Sequence, residues 1–342
     1  MAQKAREHPR FADLSIGSPV DPTPEIIQRA LGDASDSPGY PTVAGLPDAA
    51  AAFTGWLRRR VGVTADVATI PSIGSKEVVA LLPTLLGLRE GDKIVVPEVA
   101  YPTYVVGGIF ARCEVVVSDD PADVEGAALV WLNSPSNPTG RVADTDSLRA
   151  MVEAARATGA LIASDECYIE FGWRGLPPSA LSPEVVGDDP SGVLSLHALS
   201  KRSNMAGYRY GAVAGDPEVI GRLLEVRKHL GFMVPLPIQR AAIVAWGDDA
   251  HVKEQRERYL HRRAVLMPAL ESAGFRIDHS EAGLYLWVTR GADCWETAEW
   301  LAERGILVAP GDFYGEAGRE HVRIALTATD ATIAAAAQAL NA

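Results

Sequence analysis

The sequence Ser200-Lys201-Arg202-Ser203-Asn204-Met205-Ala206-Gly207-Tyr208-Arg209-Tyr210-Gly211 is the most informative stretch of the chain. It places a lysine shortly after the apolar run Val193–Leu196 and an arginine eight residues further on. The other lysines lie beside charged, terminal or turn-forming residues, as solvated lysines usually do; they are Lys4, Lys76, Lys93, Lys228 and Lys253. The polar, glycine-containing segment around Lys201 predicts a loop that follows a strand. A lysine amine held in such a loop can form a Schiff base with a carbonyl. A Ser-Lys pair on its own is most often a surface feature, so the hypothesis depends on the rest of the chain.

Composition and charge exclude several classes of protein. A length of 342 residues favours two domains over one compact core. Lys plus Arg number 32 against 44 for Asp plus Glu, and the net charge of -12 argues against nucleic acid or an anionic membrane as a partner. The odd, widely spaced Cys113, Cys167 and Cys294 indicate neither a disulfide framework nor a metal site. Without an apolar run of about 18 residues or a signal-peptide core, we expect a cytoplasmic protein.

Short apolar runs alternate with helical patterns between about Tyr40 and Ala214. This alternation is typical of a mostly parallel sheet that helices cover on both faces. We predict strands at Lys93–Pro97, Glu114–Val117, Ala128–Leu132, Leu161–Ser164, Val193–Leu196 and Gly211–Val213, and a helix at Asp146–Thr158 that Gly159 ends. Ligands of such sheets bind at the carboxyl ends of the strands, so polar residues at those ends are candidate site residues.

The alternation of short apolar runs with helical segments ends after Pro237. Asp249–Ser272 predicts a long, highly charged helix that Pro268 should kink or interrupt. Two strands with a helix between them follow, at Gly283–Thr289, Trp295–Arg304 and Gly305–Val308. We therefore predict a large domain over residues 38–245 and a smaller α+β domain made of residues 1–37 and 246–342. A site between two such domains could close on its substrate.

Two polar residues follow the apolar strand that ends at Ser164. A buried carboxylate is costly unless it is paired, so Asp165 is a candidate partner for the nitrogen of a pyridinium ring. Tyr168 would then lie near a phenolic oxygen of the same ring. The alternative is that Asp165 only caps the following turn, which is the commoner role of a single aspartate.

The string Asn133-Ser134-Pro135-Ser136-Asn137-Pro138-Thr139-Gly140 predicts a rigid turn in which one X-Pro bond is cis. Asn137 would offer its amide to a ring oxygen and to a substrate carboxylate. Ile73-Gly74-Ser75-Lys76-Glu77 precedes a helix-like segment, and backbone N–H groups at a helix start suit a phosphate. Arg209 would add a planar fork to the same anion. Taken singly, these segments could equally be a plain turn and an ordinary helix cap.

Arg323 interrupts the apolar string His321-Val322-Arg323-Ile324-Ala325. A bidentate grip on a substrate α-carboxylate would explain a buried guanidinium, and a salt bridge to a nearby acid is the open alternative. Tyr101 could stack on a planar ring, although an aromatic residue at such a position is more often part of the core.

Together these residues resemble the class I/II aminotransferases of the pyridoxal phosphate fold type I (aspartate aminotransferase-like) superfamily. The resemblance runs from Leu14-Ser15-Ile16-Gly17-Ser18-Pro19 to the last strand, and the Asn-Pro-Thr-Gly, Asp-Glu-Cys-Tyr and Ser-Lys strings occur in the family's order. It implies an α/β fold with a mostly parallel, seven-stranded sheet in a large α/β/α domain, plus a smaller α+β domain. It also implies a pyridoxal 5′-phosphate cofactor and amino acid and keto acid substrates.

The resemblance also implies roles for individual residues. Lys201 would be the Schiff-base lysine and proton shuttle, Asp165 the ring-nitrogen partner and Tyr168 the phenolate partner. The remaining positions are those for phosphate (Ser75, Lys76, Arg209), ring stacking (Tyr101) and substrate (Gly17, Asn137, Arg323). Tyr40 matches a tyrosine that reaches the phosphate of the partner subunit, so a homodimer with shared active sites is expected.

Within that superfamily the chain is most similar to actinobacterial N-succinyldiaminopimelate aminotransferases, through Asn133–Val142, Ala282–Trp287 and Gly305–Gly315. The implied reaction transfers an amino group between glutamate and N-succinyl-2-amino-6-ketopimelate in lysine and diaminopimelate biosynthesis. An aminotransferase of a specialised pathway and a carbon–sulfur β-lyase remain open, because they use nearly the same residues. A non-catalytic pyridoxal phosphate-binding regulator is a further rival, against which the acidic charge counts, and a general α/β binding protein without a cofactor would require five motif matches to be coincidental. The residues of the side-chain pocket also stay open; the candidates are Trp173, Arg174, Phe232, Tyr285 and Phe313.

Two features depart from the family pattern. The family usually has a phosphate-binding serine three residues before the lysine, and this chain has Ala198 there. We expect slightly looser cofactor binding as a result. The N-terminal arm that packs on the partner subunit in relatives is also expected to be short or absent.

Overall fold

The computed structural model describes residues 1–8 and 10–341. Its strands are β1 (Ala12–Asp13), β2 (Ala68–Ile73), β3 (Lys93–Val96), β4 (Glu114–Val117), β5 (Ala127–Asn133), β6 (Leu161–Asp165), β7 (Val193–Ala198), β8 (Tyr210–Gly215), β9 (Arg276–Asp278), β10 (Tyr285–Thr289), β11 (Ile306–Leu307), β12 (Ala309–Pro310) and β13 (His321–Ala325). Its α-helices are α1 (Ala2–Arg6), α2 (Glu25–Asp33), α3 (Pro47–Trp56), α4 (Ser75–Leu85), α5 (Thr103–Ala111), α6 (Thr145–Thr158), α7 (Pro183–Val186), α8 (Leu199–Arg202), α9 (Pro217–Arg227), α10 (Leu236–Gly247), α11 (Ala250–Ser272), α12 (Cys294–Ala302) and α13 (Asp330–Leu340).

The main sheet has seven strands in the order β2-β8-β7-β6-β5-β3-β4. Only β8 runs against its neighbours, so the sheet is mostly parallel, as expected. Alternate residues of β5 point to opposite faces: Leu129 and Trp131 join one apolar cluster, and Val130 and Leu132 join another. Helices therefore cover both faces of the sheet, which makes the fold the predicted fold type I architecture.

A second, smaller sheet has the order β12-β13-β10-β9, and β1 pairs in parallel with β11 beside it. Leu286 and Ile324 of this sheet share an apolar cluster with Leu266 and Leu270 of α11. Ile27 of α2 lies instead in the cluster of Trp56 and Trp246 on the main sheet. The domain boundaries at residues 37/38 and 245/246 stay a prediction.

Pro268 was expected to kink or interrupt the long charged helix, and the expected interruption was wrong, because α11 runs from Ala250 to Ser272 with Pro268 inside it. Leu266, Ala269 and Leu270 on either side are buried in the core of the smaller sheet. This burial offsets the one backbone hydrogen bond that proline removes. The expected cis bond is confirmed, and both Ser134-Pro135 and Asn137-Pro138 are cis.

In the described ranges, helices are either too short or too polar to cross a membrane. Within the same ranges the three cysteines are free, and His, Cys, Asp and Glu side chains do not gather in threes that could hold a metal ion.

Candidate active site

A cavity of about 470 Å³ opens at the carboxyl ends of the main-sheet strands. Every predicted site residue except Tyr40 lines it; its wall consists of Ser15, Ile16, Gly17, Ser18, Ser75, Lys76, Tyr101, Tyr104, Asn133, Asn137, Asp165, Cys167, Tyr168, Ala198, Ser200, Lys201, Ala206, Arg209, Tyr285 and Arg323. A second cavity of about 470 Å³ lies between α6 and residues 97–99 and 118–121. None of the predicted site residues lines that second cavity, so we place the chemistry in the first.

The expectation that Lys201 lies in a loop was wrong, because it lies on the short helix α8, directly after β7. Its Nζ donates to the carbonyl oxygen of Gly17, and none of the carboxylates in residues 1–8 and 10–341 pairs with it. Arg202 points the other way, where its guanidinium pairs with the buried Glu170 and donates to the Ala245 carbonyl oxygen over 2.5 Å. Arg202 thus anchors the helix, and the Lys201 amine is left facing the cavity.

Asp165 ends β6 and is buried. Its Oδ2 accepts a hydrogen bond from the Tyr104 hydroxyl over 3.0 Å, and its Oδ1 accepts one from the Cys167 N–H over 3.2 Å. Burial raises the pKa of Asp165, and the bonds from Cys167 and Tyr104 partly oppose that rise. The carboxylate therefore does cap its turn, and it also lines the cavity.

Tyr168 and Tyr285 bring two hydroxyl groups together on the cavity wall. Their oxygens lie 3.1 Å apart, and their rings meet edge to face with centroids 5.8 Å apart. Burial raises the pKa of Tyr168 well above its usual value.

An anion-binding corner lies at the start of α4. Gly74 precedes the helix with a φ of 70°, and a Cβ built there would overlap the Arg209 guanidinium. Arg209 is held in place by the Ala206 carbonyl oxygen, to which its Nη1 donates over 2.8 Å. The Lys76 Nζ lies 5.7 Å from the ring centroid of Tyr101. Free N–H groups at a helix start next to a guanidinium suit a phosphate.

Arg323 lies on β13, with 8% of its surface exposed. Its Nη1 donates to Asn137 Oδ1 over 3.0 Å and its Nη2 to the Ser15 carbonyl oxygen over 2.7 Å. Its Nε is buried without a partner, and no acidic side chain of the described residues forms a salt bridge with it. A buried donor of this kind suits a carboxylate that arrives with the substrate.

The other predicted residues, apart from Tyr285, do not line the cavity. Tyr40 is 97% exposed in the single chain. Of the candidates for the side-chain pocket, only Tyr285 lines the cavity. Trp173 lies between two arginines, Phe232 lies under Arg227, and Phe313 pairs with Trp295.

Sequence analysis missed Tyr104, whose hydroxyl reaches Asp165. Its only signal is its place in Tyr101-Pro102-Thr103-Tyr104, in the first turn of α5, where a large aromatic residue is expected to be part of the core. Its ring does stack on Trp131, with centroids 4.9 Å apart. The core position and the polar contact belong to the same side chain.

The chain is similar to known aminotransferases in both sequence and structure. The sequence model of the family "Aminotransferase class I and II" matches residues 10–340. A probable aminotransferase of Mycobacterium tuberculosis is 54% identical over 97% of this chain and 81% of its own length. The 4-dedimethylamino-4-oxo-anhydrotetracycline transaminase OxyQ of Streptomyces rimosus is 52% identical over 99% of this chain and 96% of its own. The structure of a probable N-succinyldiaminopimelate aminotransferase from Thermus thermophilus superposes with a TM-score of 0.88 at 30% identity, covering 99% of this chain and 96% of that one.

The residues present also fit the cofactor of that family. The Gly74 corner suits a phosphate, the buried Asp165 suits a protonated ring nitrogen, and the Lys201 amine suits an aldehyde. All three line one cavity. The chain therefore belongs to the class I and II aminotransferases, which depend on pyridoxal 5′-phosphate.

Proposed function

We propose that this aminotransferase moves an amino group from glutamate to N-succinyl-2-amino-6-ketopimelate. The product would be N-succinyl-LL-2,6-diaminopimelate, an intermediate of lysine and diaminopimelate biosynthesis. The observation that carries the proposal is the meeting of the amine of Lys201, the carboxylate of Asp165 and the unsatisfied guanidinium of Arg323 in one cavity. The likeness to the probable N-succinyldiaminopimelate aminotransferase supports the choice of acceptor.

The proposal gives each side chain around the cofactor a task. Lys201 would hold it covalently through Nζ, and Asp165 would hold its ring nitrogen protonated. Tyr168 would contact its phenolic oxygen, as would the Asn137 amide, and Tyr101 would cover its face. Ser75, Lys76 and Arg209 would hold its phosphate, with Tyr40 of the partner subunit. When bound, pyridoxal phosphate supplies an electron sink for the charge that develops at the substrate Cα.

The substrate residues would act on the two ends of the amino acid. Arg323 would grip the α-carboxylate, with Asn137 holding its Nη1 in place over 3.0 Å. Gly17 would lie against the substrate backbone. Once the donor amino acid displaces it, the Lys201 amine is the base that takes the proton from Cα. The second half-reaction runs the same steps in reverse on the keto acid.

A second candidate is transamination in a specialised pathway. It is favoured by the 52% identity to OxyQ, which spans 99% of this chain and 96% of that protein. The two candidates share the first half-reaction if glutamate is the donor, and differ in the ketone that completes the cycle.

The test is an absorption spectrum of the purified protein before and after glutamate is added without a keto acid. Under the proposal the yellow form disappears and the pyridoxamine form replaces it. N-succinyl-2-amino-6-ketopimelate should then restore the yellow form faster than other keto acids or a polycyclic ketone. A yellow protein that glutamate does not change, or one that releases ammonia and pyruvate from a cysteine conjugate, would contradict the proposal.

A lysine variant tests the role of Lys201 in the same assay. Lys201→Ala should bind pyridoxal phosphate without a covalent bond and lose turnover. Lys253→Ala, which removes an exposed lysine of α11, is the matched control and should behave as the wild type. Retained turnover in Lys201→Ala would exclude the proposed role.

A further inference from the structure

Tyr285 lines the cavity, and the proposed reaction has not yet used its hydroxyl. It is the first residue of β10, it is 3% exposed, and its oxygen lies 3.1 Å from that of Tyr168. Of the described residues, Tyr168 alone forms a hydrogen bond with the Tyr285 side chain. The pair therefore forms a link between β10 and the segment after β6.

The ring of Tyr285 makes a second contact, with the Arg323 guanidinium. The Cζ of Arg323 lies 4.1 Å from the ring centroid of Tyr285 and 5.1 Å from that of Tyr314. A guanidinium over an aromatic face is held both by cation–π attraction and by packing. Tyr285 thus helps to fix the plane in which Arg323 presents its donors.

The close approach of Gly17 shows that the position of this hydroxyl is built into the fold. A Cβ built on Gly17 would overlap the Tyr285 hydroxyl, so a side chain at position 17 would displace it. The Gly17 carbonyl oxygen in turn accepts from Lys201 Nζ. One hydroxyl therefore lies beside the lysine, the phenol and the arginine of the site.

The two hydroxyl groups have different electrostatic surroundings, and the distance between them allows either one to donate. Burial opposes ionisation of Tyr285, but the positive charges of Arg323 and Lys201, together with the hydrogen bond to Tyr168, outweigh it and lower the pKa of Tyr285. Burial and the neighbouring Tyr285 raise the pKa of Tyr168. In the proposed function Tyr168 gives its single proton to the phenolic oxygen of the cofactor, so Tyr285 is the donor in the bond between the two tyrosines.

We infer that Tyr285 is a positioning residue that joins the carboxylate-binding Arg323 to the cofactor-binding Tyr168. Its hydroxyl makes Tyr168 a stronger donor to the phenolic oxygen of the cofactor, because hydrogen bonds in a chain polarise one another. Its ring orients Arg323 for the substrate. The inference rests on the proposed function, since it takes the roles of Tyr168 and Arg323 from there.

Two variants separate the hydroxyl from the ring. Tyr285→Phe removes the hydroxyl and keeps the ring under Arg323, whereas Tyr285→Leu removes both. Tyr259→Phe is the matched control, because Tyr259 is another buried tyrosine and does not line the cavity. The readout is the absorption of the bound cofactor, titrated with pH, together with kcat and KM for glutamate.

In Tyr285→Phe we expect the titration midpoint of the bound cofactor to rise by about half a pH unit to one pH unit. A weaker bond to the phenolic oxygen leaves more negative charge there. That charge stabilises the proton on the nearby nitrogen that joins Lys201 to the cofactor, so this proton is lost only at a higher pH. KM for glutamate should stay within about 3-fold of the wild type, because the ring remains under Arg323. Tyr285→Leu should show the same titration shift and a KM raised roughly 10-fold.

A Tyr285→Phe midpoint equal to those of the wild type and Tyr259→Phe would overturn the role of the hydroxyl. Equal KM values for Tyr285→Phe and folded Tyr285→Leu would overturn the role of the ring. The proposed function fails separately, if the wild-type spectrum does not respond to glutamate. The titration of Tyr285→Phe does not depend on that response.

Discussion

The Tyr104 hydroxyl donates a hydrogen bond to Asp165 Oδ2 over 3.0 Å, and both residues line the cavity of the candidate active site. Burial disfavours the charged form of Asp165, and this bond is one of the few contacts that favour it. A carboxylate must be ionised to keep a ring nitrogen protonated. Tyr104 therefore supports the charge on which the proposed role of Asp165 depends.

Tyr104→Phe should weaken cofactor binding and lower kcat, each by about 10-fold or more, since bonds to charged groups contribute roughly 1.5–3 kcal/mol. Phenylalanine keeps the stacking on Trp131, so the fold should survive. Equilibrium dialysis with pyridoxal phosphate and steady-state kinetics measure the two effects. Tyr210→Phe, at a buried position outside the cavity, is the control. Equal losses in both variants would show that the effect is not specific to Asp165.

Ala198→Ser should tighten cofactor binding. Ala198 ends β7 and lines the cavity, at the position where the family resemblance leads us to expect a phosphate-binding serine. One restored bond to a charged phosphate should lower the dissociation constant by about 10-fold. An unchanged constant would mean that Arg209 and the start of α4 already satisfy the phosphate.

The site residues that sequence predicts are those whose polarity conflicts with their surroundings. Asp165 ends an apolar strand and Arg323 interrupts one, so the order of residues along the chain is enough to make each of them conspicuous. Tyr104 and Tyr285 carry no such conflict, because tyrosine is common in protein cores. Only their neighbours in space identify them as polar contacts.

The fold shows the same division. Apolar runs predicted the strands β3 to β8, whereas β2, which contains Pro71, was not predicted. Proline lacks a backbone N–H donor and is therefore uncommon inside a sheet. It is tolerated here because β2 is an edge strand, which pairs with β8 on one side of the main sheet. The reversal of β8 is likewise a property of its pairing and not of its composition.

Glu166→Gln should change how stability depends on pH. Burial raises the pKa of Glu166 from 4.5 to about 7, so between these values the folded state holds a proton that the unfolded state has lost. Glu166 therefore makes the free energy of unfolding fall as pH rises through that window, by roughly 3 kcal/mol at most. The variant lacks this loss, and its stability relative to the wild type should increase from pH 4.5 to pH 7.

Urea unfolding at several pH values and one protein concentration measures this difference. His197, 3.7 Å from Glu166, contributes a slope of opposite sign below about pH 6.5, because burial lowers its pKa to about 3. That slope is common to both proteins and cancels in the comparison. A constant difference between them across pH 4.5 to 7 would contradict the prediction.

Arg323→Lys should raise KM for glutamate by about 10- to 100-fold and change kcat less. Lysine keeps the charge but cannot donate to Asn137 Oδ1, to Ser15 and to a carboxylate from one plane, as the guanidinium can. Arg276→Lys, at an exposed position on β9, is the control. A KM equal to that of the wild type would show that another group binds the α-carboxylate.

The proposed role of Tyr40 can be tested by mixing two variants, each of which is defective on its own. In the single chain it is 97% exposed and does not line the cavity of its own chain, so its proposed target is the phosphate in the partner subunit. Tyr40→Ala should weaken cofactor binding, and Lys201→Ala should abolish turnover. In a mixed dimer of the two, one site combines an intact Lys201 with the partner's intact Tyr40. Refolding the two variants together at limiting pyridoxal phosphate should therefore restore one of the two active sites in each mixed dimer, which is about half of the wild-type number. If each chain served its own site, the mixture would show only the average of the two separate proteins.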